Sequence, residues 1–102
     1  MSLSIEKGFN EEEKIWEFKV AGEVDISNAD QLRDELNHAY TKNSTNIKID
    51  LTNLSYLDST GLGVLIGMYG KVRKDGNTVT LLKPRENVKK LLRITNLDKV
   101  LL

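Results

Sequence analysis

Cysteine is absent from the 102 residues, and histidine and proline occur once each. Without cysteine there is no disulfide, no thiolate metal site and no cysteine nucleophile. A lone histidine, His38, is a poor basis for a histidine-rich metal site or a Ser-His-Asp triad. No metal and no cofactor is expected. Neither sign of charge is in excess: 15 Lys+Arg balance 15 Asp+Glu. That balance argues against general electrostatic binding of nucleic acid or of an anionic membrane. Long apolar runs are missing too. The longest, Leu62 to Met68, contains Gly63 and Gly67 and is far short of the roughly 20 residues a membrane span needs. Residues 1–7 show no basic region followed by an apolar core, so no signal peptide is read and the cytoplasm is the expected compartment.

What is present is ordinary for a small globular domain: 39% hydrophobic and 29% charged residues. The length suits one domain, residues 1–102, with a real core. Residues 3–8 alternate weakly, and Ile15, Trp16, Phe18 and Val20 alternate clearly with Glu17 and Lys19. The polar stretch from Gly8 to Glu13 between them makes this a hairpin. Ala21-Gly22-Glu23-Val24-Asp25 breaks the strand, and Ser27 or Asn28 can cap a helix over 28–42. Its apolar face is Ala29, Leu32, Leu36, Ala39 and Tyr40. Ile47, Ile49 and Leu51 form a half-buried strand, and 53–58 is read as a connection. A second helix spans about 60–74, with Leu62, Leu65, Ile66, Tyr69 and Val72 inward. A strand over 78–82 follows, then a third helix with Pro84 in its first turn and Val88, Leu91 and Leu92 inward. Residues 99–102 are read as a last short strand. Strands alternating with helices predict an α/β fold: a mixed, mostly parallel sheet opened by an N-terminal hairpin, with helices packed on it.

The unusual stretch is Asp58-Ser59-Thr60-Gly61-Leu62-Gly63. Each glycine costs a helix roughly 0.5–1 kcal/mol relative to Ala. Their use suggests a close approach to the backbone, or tight packing on the sheet. Four readings compete. Asp58 or Ser59 is simply a helix cap. Gly61 and Gly63 begin a dinucleotide-binding loop, but Ile66 stands where the third glycine belongs. Ser59 is a nucleophile, but the G-x-S-x-G elbow is missing and His38 lies mid-helix. Or Ser59 or Thr60 is a hydroxyl that a kinase modifies, at a helix start that tolerates phosphate.

The hexapeptide, preceded by Leu54-Ser55-Tyr56-Leu57, resembles the signature of bacterial anti-sigma factor antagonists, the STAS-domain family. Ala21-Gly22-Glu23-Val24-Asp25 resembles that family's G-E-[LIV]-D segment. Asn96-Leu97 with Lys99-Val100 resembles its closing G-L-x-x-[IV] segment, with Asn in place of Gly. The resemblance covers nearly the whole chain.

It implies a binding module without catalysis of its own. The unmodified form would bind an anti-sigma factor that is also a serine kinase of the histidine-kinase-like ATPase superfamily, releasing the sigma factor. Phosphorylation at Ser59 would end the binding, and a PP2C-type serine phosphatase would restore it. The implied docking surface is Asp25, Asp58, Ser59, Thr60, Gly61, Leu62 and Gly63. Asp25 is placed in kinase docking or phosphoryl transfer, or else is a turn residue bonded to its own backbone. No nucleic acid and no membrane is implied as a partner. A STAS module of a lipid-transport or signalling assembly, without phosphorylation, is the second role that the resemblance allows. Relatives also continue into a further C-terminal helix, which this sequence is expected to lack.

Overall fold

The computed structural model describes residues 2–102. The elements run β1 (Leu3–Asn10), β2 (Ile15–Val24), α1 (Ala29–Lys42), β3 (Ile47–Asp50), β4 (Leu54–Leu57), α2 (Ser59–Arg73), β5 (Val79–Leu82), α3 (Glu86–Ile94) and α4 (Asp98–Leu101). The sheet has the order β1-β2-β3-β5, and β4 also pairs with β2. Only the β1–β2 pair is antiparallel. The expected architecture is therefore the observed one.

Trp16, Phe18 and Val20 alternate inward from β2, beside Ile47 and Ile49 of β3 and Val79 and Leu81 of β5. They join the buried faces of all four helices in one core. The opposite sheet face places Glu17 in register with Lys48, and Lys19 between Glu6 and Asp50. This checkerboard of charge suits water rather than a second layer.

Several elements depart from the sequence reading. β1 runs on through Gly8-Phe9-Asn10, because Phe9 stacks edge-on against Trp16 with ring centroids 5.2 Å apart. Residues 54–57 are a strand, not a connection: Leu54 and Leu57 are buried and β4 takes over from β3 along β2. Four residues buried only at their ends carry no alternation to read. Ile66 faces solvent, with Val64 and Met68 buried in its stead. Pro84 precedes α3 rather than opening it, since the N-cap is Arg85.

Residues 98–101 are helical, which overturns the expected final strand. The cause is the end of α3. Asn96 is left-handed at φ 60°. The Leu97 amide donates to the Leu92 carbonyl at 2.9 Å, and the Asn96 amide to the Arg93 carbonyl at 3.1 Å. This is a Schellman closure with Asn doing the work usually given to Gly. It turns the chain back so that Leu101 is buried against the core.

β2 is not broken at Gly22. It carries a register shift between Gly22 and Glu23 and continues to Val24. Gly22 sits at φ +94°, and a Cβ there would lie 2.2 Å from the Ser2 carbonyl oxygen. Only glycine satisfies both constraints. Gly22→Ala is expected to destabilise the fold by about 1–3 kcal/mol, measured by urea unfolding.

Candidate functional site

The site lies where β2 and β4 end side by side. Val24 and Leu57 are register partners in this parallel pair. The Asp58 amide donates to the Val24 carbonyl at 3.1 Å, which locks the two strand ends together. Asp25 follows Val24 and Asp58 follows Leu57, so the two carboxylates stand at one sheet edge. This is the carboxyl end of the parallel strands, where α/β folds place their functional loops.

Asp58 is the N-cap of α2. Its Oδ1 accepts from the Gly61 amide at 2.9 Å, and its carbonyl accepts from the Leu62 amide at 2.9 Å. Ser59 is the first helical residue and is exposed. The amides of Ser59 and Thr60 open the helix with no preceding turn to receive them. They sit at the positive end of the α2 dipole.

Of the expected docking residues, Asp25, Asp58, Ser59, Thr60 and Gly63 have surface in this region. Gly61 and Leu62 are buried, Leu62 being 6% exposed. They shape the site from beneath. A Cβ on Gly61 would meet Leu57 Cδ1 at 2.6 Å and Val24 Cγ1 at 2.7 Å. Gly61 thus answers the question raised by the glycines: α2 presses onto the strand ends there. Gly63 does not, since a Cβ at that position meets nothing within 4 Å.

The β2–α1 turn is tightly closed. Asp25 Oδ1 accepts from the Ser27 amide at 2.9 Å and from the Ser27 hydroxyl. Asn28 Oδ1 accepts from the Asp25 amide at 2.9 Å, and Asn28 Nδ2 donates to the Glu23 carbonyl at 2.9 Å. Asn28 is the N-cap position of α1, but its side chain closes this turn instead of capping the helix. The Ser27 hydroxyl holds the Asp25 carboxyl below its ordinary value of 3.8; partial desolvation opposes this, and the Ser27 and Asn28 amides add to it. The carboxyl is thus ionised at neutral pH, and its bonds to Ser27 are those of a turn residue closing its own backbone.

Ile26, between these residues, is 81% exposed. The sequence reading missed it. An aliphatic residue alone in a polar turn, outside every apolar period, was the available signal.

Beside the site a groove of about 330 Å³ lies between α1 and α2. Its cations are engaged: Arg33 pairs with Asp30, and Lys71 donates to Asn37 Oδ1 at 2.8 Å. Among the described residues no group of three His, Cys, Asp or Glu could hold a metal ion. No described helix is long and apolar enough to cross a membrane.

Comparison with known proteins bears on this geometry. The family model of the STAS domain matches residues 9–102. The anti-sigma-B factor antagonist of Listeria monocytogenes is 34% identical over 101 residues, covering 99% of this chain and 88% of the relative. The structure of the anti-sigma factor antagonist SpoIIAA in its unphosphorylated form superposes with a TM-score of 0.81 at 22% identity, covering 99% of this chain and 86% of that one. SpoIIAA of Bacillus in the phosphorylated form gives 0.78 at 21% identity, over 97% and 89%. At these identities the structural likeness is one of fold.

Two outcomes test the local packing. Gly61→Ala is expected to destabilise by about 1–3 kcal/mol through overpacking, while Gly63→Ala stabilises by about 0.5–1 kcal/mol, both by urea unfolding. The Asp25 turn has a defined pH sign. Its folded pKa is depressed, so its contribution is present above the unfolded value and lost as pH falls through the folded one. The Ser27 amide shift, followed by NMR, is expected to titrate with a midpoint below 3.8.

Proposed function

Because the chain belongs to the STAS-domain family, we propose that it is an anti-sigma factor antagonist switched by phosphorylation at Ser59. Unmodified, it binds an anti-sigma factor that is also a serine kinase of the histidine-kinase-like ATPase superfamily, and the sigma factor is released. The Ser59 hydroxyl then takes the γ-phosphoryl group of the kinase's ATP, and ADP leaves. The phosphoprotein dissociates until a PP2C-type phosphatase hydrolyses the ester. The chain itself does no catalysis, and the reading places it in the cytoplasm.

The observation that carries this reading is the placement of Ser59: exposed and first in α2, directly after Asp58 at the joined ends of β2 and β4. A phosphate there adds about −1.5 to −2 charge and three acceptor oxygens. The amides of Ser59 and Thr60 and the helix dipole favour it. Asp58 opposes it by like charge, so the two local effects partly cancel. No core residue has to move, because Ser59 faces water. The gate therefore acts at the interface, where a partner surface has to dehydrate or repel the new charge. Each 1.4 kcal/mol of that penalty is about tenfold in affinity.

Incubation with ATP and candidate kinases of this class is expected to add one phosphoryl group, mapped to Ser59 by peptide mass and abolished in Ser59→Ala. The phosphoprotein is expected to lose kinase binding while its melting temperature stays within a few degrees of the unmodified chain, by scanning calorimetry. A collapsed melting temperature would replace the interface gate with an unfolding gate.

A further inference from the structure

We propose that Ile26 and Ile66 are paired apolar anchors on either side of Ser59, seated in an apolar surface of the protein partner. The inference rests on the reading of Ser59 as the centre of a protein-docking surface. Among the described residues Ile26 is the most exposed large hydrophobic, at 81%. Its exposure does not come from a loose loop. The backbone on both sides is held by the Asp25–Ser27 and Asp25–Asn28 bonds, and the Ala29 amide donates to the Asp25 carbonyl at 2.8 Å. The turn displays an aliphatic side chain in a fixed place, so little ordering remains to be done on binding.

Its position relative to Ser59 follows from register. Ile26 is two residues beyond Val24, Ser59 is two beyond Leu57, and Val24 and Leu57 are partners in the sheet. Ile26 and Ser59 thus emerge from adjacent strand ends, which are spaced about 5 Å apart. Ile66 stands seven residues after Ser59 on α2, close to two full turns, and therefore on the same side of the helix. It is 42% exposed.

The charge pattern indicates the kind of occupant. From Asn53 to Gly70 the only charged residue is Asp58, and from Val24 to Ala29 it is Asp25. A solvated helix face ordinarily carries charged side chains; from Ser59 to Gly70 this one exposes Ser59, Gly63, Ile66, Gly67 and Gly70, and its charge begins only in the last turn, at Lys71 and Arg73. An uncharged strip with two aliphatic knobs and two flanking carboxylates fits a protein surface that offers apolar pockets and basic donors. The same arrangement sharpens the switch. Seating both isoleucines would strip water from Ser59, and a phosphate held between them could not be dehydrated without a heavy penalty.

The test is calorimetric titration of the full chain into the candidate histidine-kinase-like anti-sigma factors, with wild type, Ile26→Ala, Ile66→Ala, the double variant, and Ile94→Ala. Ile94 is 69% exposed at the far end of α3 and serves as the control. Each single substitution near Ser59 is expected to weaken binding about tenfold, and the double about 100-fold. The kcat/KM for phosphorylation of Ser59 should fall in parallel, with Ile94→Ala and all melting temperatures unchanged. Wild-type binding that survives the double substitution overturns the inference alone. A wild-type chain bound by none of the kinases overturns the reading of Ser59, and this inference with it. A wild-type dimer in sedimentation that Ile26→Ala dissolves assigns the isoleucines to a second copy of the chain and overturns it as well.

Discussion

The approach of α2 onto the ends of β2 and β4 is the constraint on which the rest depends. Gly61 makes it possible, because a single methyl group there would enter the space of Val24 and Leu57. The Asp58 amide bond to the Val24 carbonyl fixes the two strand ends, and the Asp58 side chain starts the helix at once. Two separate pieces of sequence are thereby brought to one edge: the Asp25 turn, and the Asp58 cap with the first turn of α2 that follows it. The site needs no large cavity. It needs a helix that begins at a defined height above the sheet, and Gly61 sets that height.

Most of the architecture was legible because its periods are long and clean. The helix over Ala29–Lys42 shows five buried residues at spacings of three and four, and all five lie in the core. The strands Ile47–Asp50 and Val79–Leu82 alternate as half-buried strands do. What could not be read was short or decided by tertiary contact. β4 is four residues long and exists because Leu54 and Leu57 find room beside β2. The last helix follows from the left-handed Asn96, whose effect on the chain direction no apolar pattern records.

The site was legible in a different way. Asp58 and Ser59 are what a plain helix start uses, and the segment announces itself through Gly61 and Gly63, which such a start would avoid. The same violation did not distinguish Gly61 from Gly63. One is demanded by packing and the other sits over open space, a difference that lies entirely in Val24 and Leu57. Ile26 went unnoticed because it belongs to no period, and only its exposure in the folded chain makes it conspicuous.

The turn that carries Ile26 is closed by backbone groups and by the side chains of Asp25 and Asn28, and residue 26 contributes nothing to that closure. Its identity is therefore uncoupled from folding. A duplicated gene could change this one residue and keep a sound domain, an intact helix cap and an unaltered serine. Under the proposed docking role of Ile26, related circuits operating in one cell could be insulated from one another by such a change.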